Sequence, residues 1–283
     1  MGLVSSAVTL TYREVKKWVS RRPVFIVSLI TPIIWISLFG KSLNLQSLLQ
    51  PPPGSVPNPA LSRVIEEAAR KRMLSLFGTT DYFTYMASGM LVAFSLFQGM
   101  FSGVSIIFDK RLGYLDRLLV TPIPRVSIWA AKTLAVIVRV TILSTILLAV
   151  SLALGMKLKP GISPVDLVMA WVIIVLVASG ISSIYAVISF YASHQEVVFT
   201  LGNLLNLPLM FASSALFPVE QMPGWMQKIA RANPVTYAAD LLRYHLIGRP
   251  VNNYAHDLAV LVGLVAVLLV LSALASVRWM ESR

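Results

Sequence analysis

The sequence predicts an all-α integral membrane protein with six transmembrane helices, and three observations support that prediction. Of the 283 residues, 57% are hydrophobic and only 13% are charged, whereas soluble domains carry about 25% charged residues. The mean hydropathy is +0.76. Six long apolar runs are separated by polar segments, and each is close to the roughly 20 residues that a helix needs to cross a membrane.

The apolar runs place the elements of one transmembrane domain, 1–283, along the chain. Because lipid offers no hydrogen-bond partners to the backbone, each run must be helical. The third run contains Lys132, which can extend its charge to the interface, and Arg139, which either does the same or pairs with a neighbouring helix. The predicted spans are 23–45, 82–108, 128–156, 167–193, 197–219 and 258–277.

The basic residues indicate which side of the membrane each loop occupies. Lys41 is the only basic residue near the far end of the first span, whereas the preceding segment carries Arg13, Lys16, Lys17, Arg21 and Arg22. Since positive charge beside the first span favours the cytoplasm, both termini are predicted to be cytoplasmic and the loop 46–81 external. The net charge of +12 indicates contact with an anionic lipid surface rather than with nucleic acid.

The segment 3–22 is predicted to form an amphipathic helix in the membrane interface. Val8, Tyr12, Val15 and Val19 recur at intervals of four, three and four residues, which places them on one helix face. Aromatic residues such as the tryptophan in this segment favour headgroup depth, and the proline after it turns the chain into the first span. The helix is either a surface anchor or a lever that links a cytosolic partner to the first span.

The loop 109–126, between the second and third spans, is too patterned for a simple linker. Leu112, Leu115 and Leu119 share one helical face, with Leu118 beside it, and two prolines then end the helix. A short amphipathic helix of this kind either lies flat on lipid or docks in the groove of a partner.

Two spans carry residues suited to a transport path. The second has aromatic side chains at helical spacing, which either line a hydrophobic route or face lipid and packed neighbours. The fifth has two amides and a proline; amides join helices or line cavities, and interrupted helices are common at transport sites. The candidate translocation path comprises Phe94, Phe97, Phe101, Asn203, Asn206 and Pro208.

The region 220–257, between the fifth and sixth spans, is predicted to be external. Its stretch "PVEQMPGWMQKIA" is amphipathic and bounded by prolines. It is interpreted as a short helix that dips into the outer leaflet with Trp225 as its anchor, or as a plain surface loop.

The residues for catalysis or for cofactor binding are not present in a recognisable pattern. The chain has no cysteine, and its three histidines are dispersed, so no metal site is predicted. Gly40-Lys41-Ser42 resembles half of a P-loop, but it ends an apolar helix instead of following a buried strand. No acidic residue lies inside an apolar run, although proton-coupled transporters use such residues. The chain is therefore predicted not to be an enzyme and to hold no cofactor of its own.

Three stretches resemble a known family. "FDKRLGYLDRLLVTPIPR" is similar to the signature loop of type 2 ABC exporter permeases, closest to the drug-resistance (daunorubicin-exporter-like) branch. "LFPVEQMPGWMQKIARANPVTYAADLLRYHLIG" resembles that branch's loop before the last helix, and "REVKKWVSRRP" resembles its N-terminal connecting helix. Asp109 and Asp116 stand where the family often has Glu.

The resemblance implies a membrane subunit that works with a separate cytosolic ABC ATPase, which binds ATP and Mg²⁺. It implies a homodimer, or a pair with a related permease, in a prokaryotic cell membrane. The loop helix would dock on the ATPase, with three leucines filling its cleft and charged residues fixing the register. The implied coupling residues are Asp109, Arg111, Gly113, Leu115, Asp116, Leu118, Leu119, Pro122 and Arg125.

Two further sets of residues follow from the resemblance. The implied connecting helix contributes Arg13, Lys16, Lys17, Trp18, Arg21, Arg22 and Pro23. The implied external gate region contains Phe217, Pro218, Met222, Pro223, Trp225, Asn233 and Pro234.

The predicted function is ATP-driven outward transport of an amphipathic or hydrophobic small molecule or lipid. One alternative is a polysaccharide or lipid-linked glycan exporter, in which aromatic residues would stack on sugars. Another, of a different class, is an ATPase-independent channel or scaffold.

Overall fold

The computed structural model describes residues 2–42 and 59–282, and all regular structure in these ranges is helical, which confirms the predicted all-α class. The first half contains α1 (Leu3–Ser20), α2 (Arg22–Ser42), α3 (Pro59–Phe77), α4 (Tyr82–Arg111), α5 (Tyr114–Leu119) and α6 (Arg125–Ala153). The second half contains α7 (Pro164–Tyr191), α8 (Gln195–Phe211), a 3₁₀ turn (Val219–Gln221), α9 (Gly224–Ala232), α10 (Pro234–Ile247) and α11 (Tyr254–Glu281).

Local sequence signals start the two long helices α7 and α4. At α7, the Ser163 hydroxyl accepts a hydrogen bond from the Asp166 N–H (3.2 Å). The Asp166 carboxylate in turn accepts from the Ser163 N–H (3.0 Å). This is a capping box, and Pro164 occupies the first helical position, where its missing N–H costs nothing. At α4, the Asp81 carboxylate accepts from the Phe83 N–H (3.2 Å). α4 and α7 therefore begin where their free N–H groups find a side-chain partner, whereas α1, α6 and α8 begin without one.

The core of the bundle lies where α7 packs against α4. Gly99 and Gly103 of α4 face α7 directly: a Cβ on Gly103 would approach the Tyr185 carbonyl oxygen to 2.9 Å. Small residues at this spacing let two helix backbones approach closely. α7 also packs against α6, α10 and α11, and it therefore forms the centre of the bundle. Its neighbour α4 is buried along most of its length.

Four helical stretches in the described ranges are long and apolar enough to cross a membrane. They are Ala60–Arg111, which contains α4, together with Arg125–Ala153, Pro164–Tyr191 and Tyr254–Glu281. The pair α1 and α2, bent by 71°, passes the same test if its two helices are taken together. By length and apolar composition there are thus four or five spans in these ranges instead of the predicted six, because α8, with only 17 residues, is too short to be counted.

The fifth predicted span, 197–219, is shorter in the structure, where α8 ends at Phe211. The Asn233 side-chain amide donates hydrogen bonds to the carbonyl oxygens of Leu209 (2.8 Å) and Ala212 (2.7 Å). These carbonyls are therefore satisfied by a side chain instead of by a further helical turn. Pro208, inside α8, removes one more backbone donor.

The region 220–257 has more helix, and deeper burial, than the sequence predicts. α9 covers part of the stretch that was expected to form a short helix, but α10 follows and packs against α4, α7 and α11. Its buried residues lie on several faces of the helix and include Val235, Ala238, Leu242 and Leu246. A helix that buries several faces packs inside a protein instead of lying on its surface. α10 is therefore part of the bundle.

The bundle has two ends, the loop end and the far end. The loop end carries α5, and there Ile106 of α4, Leu115 of α5, Ile128 of α6, Phe190 of α7 and Met280 of α11 form one apolar cluster. Leu10 of α1 packs against the same cluster, so that the first and last helices meet at the loop end. The far end carries α9. The predicted external loop 46–81 falls partly outside the described residues, and its described part forms α3, which contacts α4.

Candidate functional site

The loop between α4 and α6 folds into the short helix α5 because its sequence ends one helix and starts another. Gly113 adopts a left-handed conformation (φ +64°), which glycine reaches without the steric cost that other residues incur. After α5, the Thr121 hydroxyl donates a hydrogen bond to the Leu118 carbonyl (2.6 Å), and the prolines Pro122 and Pro124 prevent further helix. The result is a rigid connection between two long helices.

α5 uses one of its predicted contact residues to dock on its own chain. Leu115 is only 2% exposed and lies in the apolar cluster of the loop end, with Leu118 and Leu119 half-buried against it. The expectation that these three leucines fill a partner's cleft is therefore corrected for Leu115, because α5 must bury its apolar face to hold its position. Val120, at 86% exposure, lies on the free side.

We call this free side of the loop the outer face of α5, defined as Arg111, Leu112, Asp116, Arg117, Val120 and Pro122, all exposed. Three of the predicted coupling residues, Arg111, Asp116 and Pro122, belong to it. Arg125 is half-buried, and its buried Nη1 has no hydrogen-bond partner among the residues that the structure describes.

Asp109 was expected to pair with a partner protein, but the structure buries it inside the chain. Its carboxylate forms ion pairs with Lys17 of α1 (2.9 Å) and with Lys132 of α6, and Arg13 lies 3.9 Å away. A buried carboxylate requires such compensation, since an unpaired charge in a dry interior is costly. Asp109 therefore fixes α1 and α6 to the end of α4.

A second buried carboxylate, Glu14 of α1, extends this network. One of its oxygens pairs with Arg13 (2.9 Å) and Lys132 (3.1 Å), and the other accepts a hydrogen bond from the Ser105 hydroxyl of α4 (2.9 Å). Lys132 thus bridges both carboxylates instead of extending toward the interface. Three helices are cross-linked at the loop end by groups that leave no carboxylate oxygen unpaired.

α1 turns its predicted apolar face away from the bundle. Val8, Tyr12 and Val19 are exposed, whereas Ala7, Glu14 and Trp18 are buried against the chain. The exposed apolar side is what a helix lying in a membrane interface requires.

The predicted connecting residues divide between these two sides of α1. Arg13 and Lys17 point into the charge network, and Trp18 packs edge-on against Phe25 of α2 at 5.0 Å between ring centroids. The exposed members of the set are Lys16, Arg21, Arg22 and Pro23.

A cavity of about 770 Å³ lies between α1, α2, α4 and α8. Phe94, Phe97 and Phe101, predicted to line a path, are part of its wall. Phe101 meets Phe199 of α8 edge-on, with ring centroids 6.4 Å apart, and Trp35 of α2 also lines the cavity. A cavity of this size and apolar character can accommodate a drug-sized molecule.

The predicted path residues of α8 do not line this cavity. Asn206 is buried toward α7, where its side-chain oxygen accepts a hydrogen bond from the Tyr185 hydroxyl (2.8 Å). Asn203 and Pro208 lie on the exposed side of α8. Because each residue turns a helix by about 100°, Asn206 falls within the packed face of α8 and Asn203 falls just outside it. Asn206 therefore joins two helices, which is the other role expected of an amide in a membrane helix.

At the far end, the Asn-Pro sequence of the predicted gate region joins two helices. The Asn233 side chain that holds the end of α8 also accepts a hydrogen bond from the Val235 N–H (2.9 Å), and Pro234 then begins α10. Met222 is buried against Val219 and Ala230. Of the other predicted gate residues, Pro218 is buried, and Phe217, Pro223 and Trp225 are exposed.

Arg243 of α10, which the sequence analysis did not select, is fully buried at the far end. It donates hydrogen bonds to the carbonyl oxygens of Ala215 (2.8 Å) and Tyr85 (3.2 Å), and its guanidinium lies 3.6 Å from the centre of the Tyr85 ring. It thereby ties α10 to α4 and to the irregular segment after α8. The Leu-Leu-Arg sequence carries no local signal that this arginine is interior.

Other residues that sequence reasoning missed lie at the loop end. Lys110 donates hydrogen bonds to the last carbonyl oxygens of α7, at Phe190 (2.7 Å) and Ala192 (2.7 Å), which is a favourable place for a cation. The signal for Glu14 was present, since it is the only acidic residue in the first 50 positions. Within the described ranges, no group of three or more His, Cys, Asp or Glu side chains is placed to hold a metal ion.

Comparison with known proteins gives consistent matches. The profile of the ABC-2 type transporter family matches residues 6–247. The protein ycf38 of Cyanophora paradoxa, named as a transport permease, is 30% identical over 228 residues, which cover 79% of this chain and 68% of that protein. The ycf38 protein of Porphyra purpurea is 34% identical over 166 residues, covering 58% and 56% of the two chains.

A relative named for drug resistance also matches. The daunorubicin resistance ABC transporter permease protein DrrB1 of Streptomyces coeruleorubidus is 28% identical over 165 residues, which cover 58% of each chain.

Proposed function

This chain belongs to the ABC-2 type transporter family, as its loop motifs predicted, and we propose that it is the membrane subunit of an ATP-driven exporter. Its energy would come from a separate cytosolic ABC ATPase that binds ATP and Mg²⁺ and docks on the outer face of α5. The observation that carries the proposal is that the two sides of α5 have different surroundings. One side is locked into the chain by Leu115, and the other presents Leu112, Asp116 and Val120 to an external partner.

The charge network explains how docking on so small a helix could move the whole subunit. α5 is joined to α4 and α6 by short connections, and Asp109 and Glu14 hold α1 to both of those helices. A force applied to α5 would therefore move α1, α4 and α6 together. Such rigid coupling is what transmits ATP-driven closure of a partner into the membrane.

The proposed topology places the loop end in the cytoplasm and the far end outside. α2, α4, α6, α7, α8 and α11 would cross the membrane, with α8 completing its crossing through the irregular segment beyond Phe211. The joint position of α1 and the end of α11 at the loop end supports both termini lying on one side. The basic residues of α1 support the cytoplasm as that side, in a prokaryotic cell membrane.

The cavity beside α4 is the proposed entry to the transport route. Its aromatic and apolar lining suits an amphipathic or hydrophobic small molecule or lipid. The exposed apolar sides of α2, α8 and α11 would be covered by lipid and by a second permease subunit, either a copy of this chain or a related one.

Docking is tested by substitutions that leave the interior untouched. The chain is co-expressed with a candidate cytosolic ABC ATPase from the same genome, and the complex is purified through the permease. Asp116→Arg and Val120→Asp are expected to lower ATPase recovery at least about tenfold, since charge reversal or a buried carboxylate at an interface opposes binding.

Matched controls come from the far end. Glu66→Arg makes an equivalent charge reversal, and Val64→Asp the same substitution, at exposed positions of α3. Both are expected to leave ATPase recovery unchanged. Full recovery of the ATPase with both α5 variants would refute α5 as its docking site. ATPase-independent transport by the purified chain would favour a channel instead.

A further inference from the structure

Arg139 is a cation in the middle of α6 that the bundle leaves without an ion-pair partner. It lies seven residues beyond Lys132, or about 10 Å further from the loop end. It is 8% exposed, and that exposed part borders the cavity between α1, α2, α4 and α8. Its Nε donates a hydrogen bond to the Ala135 carbonyl of its own helix (3.3 Å). Its two terminal nitrogens make no hydrogen bond or ion pair of ordinary length within the described ranges.

The surrounding charges do not neutralise Arg139. Glu14 acts on it electrostatically, but both oxygens of Glu14 are already engaged by Arg13, Lys132 and Ser105. Asp109, the other carboxylate of this region, is occupied by Lys17 and Lys132. The region therefore holds four buried or half-buried cations against two carboxylates, which leaves it positively charged.

The wall of the cavity is mostly apolar, although the charged residues Glu14, Lys17 and Arg21 also border it. Its aromatic residues include Phe94, Phe97 and Phe101 of α4, together with Trp35 of α2 and Phe199 of α8. A buried cation whose terminal nitrogens have no ion pair is costly unless an anion meets it there. The chamber thus offers two kinds of contact at once, one charged and one hydrophobic.

We propose that this cavity binds an amphipathic anion, with its carboxylate or phosphate on Arg139 and its apolar body along Phe94, Phe97 and Phe101. This inference rests on the proposed function, because it names the chemical class that the transport route would admit. Arginine suits such a role, since its planar donors bind carboxylate and phosphate in pairs. The anion could come from a membrane lipid headgroup or from a free amphipath, and both share this chemistry.

The test uses photolabelling of the full chain in phosphatidylcholine nanodiscs. The probe is a palmitic acid that carries a diazirine on its chain, and its methyl ester serves as the uncharged counterpart. We expect the acid to label α4 peptides around Phe94–Phe101, detected by mass spectrometry. Arg139→Gln is expected to reduce this labelling by about tenfold or more, since hydrogen bonds to charged groups are among the strongest in proteins. Arg139→Lys should retain most of it.

Two controls separate loss of charge from loss of fold. The methyl ester should label wild type and Arg139→Gln equally, which shows that the cavity persists in the variant. Arg231→Gln, which removes an exposed arginine of α9, should leave both labels unchanged. Equal labelling by acid and ester in the wild type, or unchanged acid labelling in Arg139→Gln, would overturn the proposal.

The source of the anion is resolved by changing the lipid. If phosphatidylglycerol in the nanodisc competes with the acid probe, a lipid headgroup occupies the site. If it does not compete, the site selects free amphipaths. Both outcomes support an anion at Arg139. The result is independent of the ATPase. If labelling does not depend on charge but the chain still binds its ATPase, only this inference is refuted. If labelling depends on charge but the chain does not bind the ATPase, only the proposed function is refuted.

Discussion

The guanidinium of Arg13 lies over the ring of Tyr114, with its central carbon 3.3 Å from the ring centre. This contact joins α1 directly to α5, the helix that carries the proposed docking face. Arg13 also pairs with Glu14 (2.9 Å), which is held by Lys132 of α6. The position of α5 is therefore set both by its buried Leu115 and by a charged side chain from the N-terminal helix, which is distant in the sequence.

The first prediction concerns this contact. Tyr114→Leu should loosen α5, because a cation–π contact contributes about 1 kcal/mol, or about a fivefold change in the undocked population. The chain has no cysteine, so spin labels at Lys16→Cys and Val120→Cys report the α1–α5 distance without background. Their distance distribution should broaden in Tyr114→Leu and remain narrow in Tyr114→Phe, which keeps the ring. Equal distributions in all three proteins would show that the stacking does not position α5.

The second prediction tests sidedness, again with single cysteines. Val120→Cys, on the outer face of α5, should react with a membrane-impermeant maleimide only in inside-out vesicles. Val64→Cys, exposed on α3, should react only in right-side-out cells or vesicles. Reaction of both positions from the same side would contradict the proposed crossings of α4. The exposed position Lys16→Cys provides a second cytoplasmic reporter on α1.

The third prediction concerns the buried ion pairs. Asp109→Asn removes the charge that compensates Lys17 and Lys132, and breaking a buried pair on one side costs about 3–5 kcal/mol. We expect a large loss of thermal stability in detergent. The double variant Asp109→Leu/Lys132→Met should be less destabilised than Asp109→Asn, because it removes an anion and a cation together.

The same prediction has a surface comparison. Glu67 of α3 pairs with Lys71 at 2.9 Å, but both side chains are exposed, and exposed pairs contribute about 0–1 kcal/mol. Glu67→Gln should therefore leave thermal stability nearly unchanged. A loss with Glu67→Gln as large as that with Asp109→Asn would show that burial does not decide the strength of these pairs.

The all-α class was predictable from the sequence because apolar runs and prolines act locally. The positions of Asp109 and Leu115 were not, since nothing local distinguishes a loop residue that faces a partner from one that faces its own chain. Asp109 turns inward only because Lys17 and Lys132, distant in sequence, converge on it. Likewise, the packing of α10 inside the bundle was not predicted, since Asp240 and Arg243 interrupt its apolar pattern. The charge of Arg243 is satisfied by hydrogen bonds to buried carbonyl oxygens that come from distant parts of the sequence.

The last prediction concerns how closely α4 approaches the far-end segment. A Cβ on Gly89 would collide with the carbonyl oxygen of Ala215 and with the guanidinium of Arg243, and neither a backbone carbonyl nor a fully buried arginine can easily give way. Gly89→Ala should therefore destabilise the protein by about 1–3 kcal/mol or more.

The matched control is Gly263→Ala in α11, where a Cβ meets nothing within 4 Å. There the substitution should be neutral or stabilising by about 0.5–1 kcal/mol, because alanine loses less backbone freedom on forming a helix. Thermal unfolding of both variants in the same detergent gives the comparison. If Gly89→Ala unfolds at the wild-type temperature, the close packing of α4 on the Ala215 segment is absent in the protein. That packing would then not explain the burial of Arg243.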